Sequence, residues 1–334
     1  MAEIVLALAT SHTPQLSVAD WRLLQTKDET DPTLDYPALT AAAKSDIGRE
    51  ITAERYRERF QACQRALRVL GDTLREARPD VVVTFGDDQH EQFLDDNMPT
   101  FAVYHGRDMT IAPRTGPLPE WKKAEQRGWA ETAPVYSNHT ALAEHLIGWL
   151  SDHDFDIART NRLREGVGHA FSFLYRRLLP GSTLPMVPVM VNTYYPPNQP
   201  TPGRCYALGQ GVRKAIESWD SDARVAVMAS GGLSHFVVDE DIDRATLKAL
   251  ADKDTAALRA LPREKLRSGT SEILNWIALG GFAEPMEMTL VDYVPGYRSP
   301  AGTGCGMGFA YWRPTVRGSA DKSPEAMIED GGRP

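Results

Sequence analysis

The sequence predicts an α/β protein, a three-layer sandwich in which a central mixed β-sheet is flanked by helices. Three observations lead there. Short apolar runs alternate with helix-like patterns along the chain. Several runs are continuously apolar, as suits strands covered on both faces. The last two runs follow each other closely, which makes the sheet mixed.

The elements follow in order. Ile4–Thr10 reads as a buried strand. A long insert at residues 17–46 carries Trp21, Asp28, Asp31, Tyr36 and Lys44, and suits a cover over a site or a dimer contact. The clearest helix is Ala53–Ala77, where Tyr56, Phe60, Cys63, Leu67, Leu70 and Leu74 step by four and three along one face. Strands follow at Val81–Phe85 and Phe101–Tyr104. Residues 106–137, with four prolines and the rings of Trp121, Trp129 and Tyr136, read as an insertion or lid. A helix at Leu142–Trp149, a strand at Met186–Asn192, a helix at Gly203–Ser218 and a strand at Val225–Ala229 come next. Helices at Asp243–Arg259 and Thr270–Ala278 precede the last strands, Met286–Tyr293 and Met307–Trp312. Residues 1–313 are expected to form one catalytic domain, and the polar stretch 314–334 a mobile tail.

Composition narrows the function. The 334 residues hold 37 basic and 45 acidic side chains, a net charge of −8 with no basic run, which disfavours nucleic acid and anionic membranes as partners. No apolar stretch approaches the roughly 18 residues of a bilayer span. The first residues carry Glu3 and no basic region, unlike a signal peptide. Cys63, Cys205 and Cys305 are scattered, which excludes a disulfide framework and a thiolate zinc site and fits the cytoplasm.

Among eight histidines, His12, His90 and His235 each follow a strand closely. Open α/β sheets bind ligands beyond the carboxyl ends of their strands. A single such histidine is usually a satisfied loop residue; three on neighbouring strands point to a shared site. His105 also ends a strand, but its segment has no other polar cluster; His139, His145 and His153 read as surface residues. Two imidazoles and one carboxylate with open positions make the facial triad of non-haem Fe(II) oxygenases. The sequence offers several carboxylates for the third place. Asp87 and Asp88 lie near His90 and suit either groups orienting an iron imidazole or a solvated turn. Glu272, at a helix start, reads by itself as a charge favouring the helix dipole. Tyr194, Tyr195, Tyr297, Arg298 and Arg204 are candidates for contacting ring substituents, with either arginine suited to clamp a carboxylate. The glycine run 302–308 precedes a strand rather than a helix, so it lacks phosphate-loop geometry.

Four motifs occur in a telling order: SHTP at residues 11–14, D-x-H at 88–90, SGGLSH at 230–235 and GTSEILNW at 269–276. With them, from about residue 5 to residue 312, the chain resembles the class III, LigB-type extradiol ring-cleavage dioxygenases, which include the protocatechuate 4,5-dioxygenase catalytic subunit and gallate dioxygenases. The resemblance implies that His12, His90 and Glu272 hold Fe(II), which replaces the helix-dipole reading of Glu272. It implies that His235 is the catalytic acid–base, since an imidazole with a pKa near 6.5 both takes and gives a proton at neutral pH. His169, in GVGHAF, falls at a second active-site histidine, although Gly168 and Ala170 replace the family's usual neighbours. It further implies a small aromatic diol and O2 as partners and a lignin-type acid such as gallate, 3-O-methylgallate or protocatechuate as substrate; separately, a cytoplasmic homo-oligomer, a dimer, is expected. A zinc-dependent hydrolase, or a ligand-binding relative without catalysis, would use the same pocket.

Overall fold

The structure, a computed structural model, describes residues 1–111, 134–164 and 166–315. Its strands are β1 (Glu3–Thr10), β2 (Val81–Asp87), β3 (Phe101–Tyr104), β4 (Asp108–Thr110), β5 (Val135–Ser137), β6 (Ala158–Thr160), β7 (Met186–Val191), β8 (Arg224–Ser230), β9 (Met286–Tyr297) and β10 (Gly304–Pro314). Its α-helices are α1 (Arg22–Thr30), α2 (Tyr36–Ala42), α3 (Ala53–Ala77), α4 (Thr140–Asp152), α5 (His169–Phe173), α6 (Pro202–Ser218), α7 (Glu240–Ala251), α8 (Thr255–Arg259) and α9 (Ile273–Phe282).

Eight strands form one sheet in the order β6-β3-β7-β2-β8-β1-β10-β9, and β4 pairs with β5 separately. The central strands β7, β2, β8 and β1 are parallel. Their interiors are buried, which is why they are written as unbroken apolar runs. β10 pairs antiparallel with both β1 and β9, and β3 pairs antiparallel with β7, so the sheet is mixed as expected.

Alternate residues feed two cores, one on each face. Ala7, Val83, Val189 and Val227 pack under α4, α6 and α9 through Leu146, Val212, Ile277 and Phe282. Leu6, Leu8, Val82 and Met228 pack under α3 and α5 through Cys63, Leu67, Leu70 and Phe171. The α3 face matches its sequence periodicity; Thr52 caps its start by accepting from the Arg55 amide. Helices α6 and α9 touch through glycines: a Cβ on Gly209 would fall 1.8 Å from the Ala278 carbonyl oxygen, and one on Gly281 2.0 Å from that of Tyr206.

Three features depart from the sequence expectation. The helix expected over Asp243–Arg259 is two helices, α7 and α8, broken where Lys253 takes φ +57° and Asp254 caps α8. The helix expected at Thr270–Ala278 is a 3-10 turn, Ser268–Glu272, leading into α9. The three-residue strands β4, β5 and β6 were not expected, being too short for a period to register. Of the segment 106–137 read as a lid, residues 112–133 lie outside the described residues, and so does the tail beyond Thr315. No helix among the described residues is long and apolar enough to cross a membrane.

The insert at 17–46 holds α1 and α2 and is bolted to the loop after β9. Arg298 donates from Nε and Nη2 to the two Asp28 oxygens, each at 2.7 Å, and Thr303 donates to the same carboxylate at 2.5 Å. The Arg298 guanidinium is thereby held in a buried ion pair, and it also lines the cavity described below.

Candidate metal centre

The carboxyl ends of β1, β2, β7 and β8 all open on the same side of the sheet, and the chemistry gathers there. Just past β1, Ser11 ties the chain to β10: its amide donates to the Gly308 carbonyl, and the Gly308 amide donates to its hydroxyl. That pins His12. Its Nδ1 lies 3.0 Å from the Ser230 hydroxyl at the end of β8, which aims Nε2 toward Glu272 Oε2 at 3.3 Å.

Asp87 is the last residue of β2 and is fully buried. His169 opens α5, and Glu91 holds it by accepting from its amide at 2.9 Å and from Nδ1 at 3.0 Å. His12 and His169 meet edge to face, ring centres 4.6 Å apart. Ligand atoms of His12, Asp87 and His169 lie within 4.8 Å of one another, a group that could hold a metal ion.

Glu272 sits at the joint between the 3-10 turn and α9. The Gly232 amide donates to Oε2 at 2.6 Å, and the Tyr194 hydroxyl donates to Oε1 at 2.8 Å. His235 Nε2 lies 3.1 Å from Oε1, while its Nδ1 faces the Leu233 carbonyl at 2.9 Å. The imidazole rests directly on backbone, since a Cβ on Gly269 would fall 2.1 Å from His235 Cδ2.

Charges at close quarters move these groups. Burial alone would raise the Glu272 carboxyl, but His235 and His12 override it and hold it well below the usual carboxylate range. Burial would lower the His235 pKa, yet Glu272 holds its imidazolium well above the usual value. His169 is likewise pushed down by burial but, with Glu91 and then Asp87 pulling the other way, ends at about 9. Asp87 is raised by burial and by the charge of Glu272. Two buried carboxylates beside histidines that present ring nitrogens match the donor chemistry of a divalent cation.

Four of the five site residues expected from sequence, His12, His169, His235 and Glu272, line one cavity of about 300 Å3. His90 does not. It takes φ +58°, stacks on Tyr195 at 3.8 Å and meets Asp95 at 3.1 Å, about one third exposed. The bend that turns His90 outward turns its neighbour Gln89 inward. Asp88 serves the turn, accepting from the Gln92 and Phe93 amides, whereas Asp87 faces the cluster. Of the candidate ring-contacting residues, Tyr194 reaches Glu272, Tyr297 is held by Lys44 and Glu240, and Arg204 lies on the face of Phe155. Gln89, Glu91, Lys27 and Arg176 line the cavity and were not anticipated. Glu91 was discoverable only through its tie to His169, 78 positions away.

Comparison with known proteins gives a family match: a profile for the catalytic LigB subunit of aromatic ring-opening dioxygenase fits residues 45–290. A gallate dioxygenase of Pseudomonas putida is 35% identical over 120 residues, 35% of this chain and 34% of that one. A 2,3-dihydroxyphenylpropionate/2,3-dihydroxicinnamic acid 1,2-dioxygenase of Comamonas testosteroni is 29% identical over 181 residues, 52% and 49% of the two chains. One of that name from Cupriavidus necator is 30% identical over 192 residues, 57% and 52%. The chain thus spans between a third and about half of the length of these relatives. A solved structure of an uncharacterized protein from Escherichia coli K12 aligns at TM-score 0.49 and 13% identity over 92% of this chain and 99% of that one.

Proposed function

Because the chain belongs to the family of catalytic LigB subunits of aromatic ring-opening dioxygenases, we propose that it is an Fe(II)-dependent extradiol dioxygenase opening the ring of a small catecholic aromatic acid with O2. The observation that carries this reading is the meeting of His12, Asp87, His169 and Glu272 at one end of a cavity that His235 also lines. These residues would hold the ion through imidazole nitrogens and carboxylate oxygens, and when bound it supplies the redox coupling between an electron-rich diol and O2.

The chain's own residues have distinct tasks in this reading. The cavity of about 300 Å3 is large enough for one substituted ring. Lys27, on the anchored helix α1, and Arg176 give its wall positive charge that suits a ring carboxylate. Gallate, 3-O-methylgallate and protocatechuate fit those limits. Phe173 and Phe236 line the cavity as apolar surface that keeps water from the reacting ring. His235 exchanges a proton at Nε2 with a substrate hydroxyl, its ring held by the Leu233 carbonyl and the floor of Gly269. His169 is oriented by Glu91 so that Nε2 points inward. Residues 1–313 are taken as one catalytic unit, working in the cytoplasm as a homodimer.

The test is product formation by metal-loaded protein with each of the three acids. A ring-opened product absorbing at longer wavelength supports the reading. Hydrolytic activity with Zn2+ and no use of O2 would replace it with a zinc hydrolase, and ligand binding without turnover would replace it with a binding protein.

A further inference from the structure

The strand β2 ends in Asp87, and the chain continues as Asp88, Gln89 and His90. The sequence directs attention to the imidazole, but the fold sends the amide inside. Gln89 Nε2 lies 3.0 Å from Asp87 Oδ2 and 3.2 Å from Glu272 Oε1, bridging two buried carboxylates. Among the described residues, neither carboxylate is paired with a lysine or arginine: Asp87 meets Gln89 and Asn275, and Glu272 meets Gln89, Tyr194, Gly232, His12 and His235. A neutral amide is therefore the group that joins the two acidic halves of the centre.

We propose that Gln89 is a metal donor through its amide oxygen, and that this oxygen biases the centre toward Mn2+ over Zn2+. The inference rests on the metal-centre reading above and concerns a residue outside its donor set. A glutamine amide carries a donor and an acceptor on one nearly symmetric plane, so a half-turn of its last torsion exchanges NH2 for oxygen. With no cation, NH2 is the right group between two carboxylates. With a cation shared by Asp87 and Glu272, the oxygen is. A leucine or methionine could do neither. Carboxylate and carbonyl oxygens suit Mn2+, whereas imidazole suits Zn2+, so an amide in this place makes the donor set richer in oxygen than an imidazole there would. His90 cannot substitute while it is stacked on Tyr195.

The test uses the full chain, stripped of metal and kept anaerobic. Affinities for Mn2+, Fe2+ and Zn2+ are read by competition with a chromophoric chelator for the parent, Gln89→Leu and Gln89→His. Gln89→Leu is expected to weaken Mn2+ and Fe2+ by roughly tenfold or more, the scale at which changes around metal ligands act. Gln89→His is expected to raise the preference for Zn2+ over Mn2+ by roughly tenfold, and it keeps the test open if the leucine variant fails to fold. Affinities within about twofold of the parent in both variants would overturn the proposal. So would a parent that binds no ion while Gln89→His does. A parent that binds no ion at all defeats the metal-centre reading as well; ions bound with this Gln89 dependence but no oxygen use would leave the proposal standing and defeat only the catalytic reading.

Discussion

Removing the Asp28 carboxylate should be among the most damaging single changes outside the metal centre. Arg298 is nearly fully buried, its side chain 5% exposed, and Asp28 2%. The guanidinium gives two parallel hydrogen bonds of 2.7 Å to Asp28 and one of 3.1 Å to Gln15. In Asp28→Ala the arginine charge stays in place with one neutral partner. Breaking a buried pair this way costs about 3–5 kcal/mol, because a desolvated charge is left uncompensated. Replacing both partners, Asp28→Leu with Arg298→Met, removes the stranded charge and should cost less than Asp28→Ala alone. The assay is chemical denaturation of the parent, both single variants and the double variant. A loss below about 1 kcal/mol in Asp28→Ala, or a double variant as damaged as the sum of the singles, would show that the buried charge is not stranded by losing Asp28.

Three further outcomes follow from the same geometry. Asp243 accepts from the Ser234 amide and hydroxyl and from Tyr293, yet burial pushes its carboxyl up to about 6. The folded chain thus holds that proton more tightly than the unfolded one. Its stabilising contribution is full below about pH 4 and is lost as pH rises through 6, about 3 kcal/mol in all. Asp243→Asn should remove that slope, so a stability gap between parent and variant that stays constant from pH 4 to 7 contradicts it. Lys27→Met should raise KM for protocatechuate by roughly tenfold, with kcat little changed and an uncharged catechol unaffected; equal effects on both substrates would deny Lys27 a role in reading the carboxylate. His235→Ala should keep its metal and lose roughly 10²–10⁴ in kcat, and a variant as active as the parent removes the acid–base assignment.

Much of the scaffold is legible because burial on both faces writes itself into composition. Residues 81–85, 186–192 and 225–229 could be read as central strands with no partner known, and the α3 stripe declared its buried face. The placing of His12 and His235 beyond strand ends was legible for the same reason. What stayed hidden depends on contacts distant in sequence or on single backbone torsions. Gln89 and His90 are adjacent, and which one faces inward is decided by the bend at His90. Arg298 lines the cavity, but its tie to Asp28, 270 positions away, could not be read from the sequence. Asp87 and Asp88 are the same residue type side by side, and only the end of β2 separates the one that faces the centre from the one that holds a turn.

Oxygen uptake by anaerobically prepared, Fe(II)-loaded protein bears most directly on the central claim. One O2 should be consumed per molecule of gallate, 3-O-methylgallate or protocatechuate opened. Iron bound at one ion per chain, with no oxygen consumed for any of the three, would contradict it.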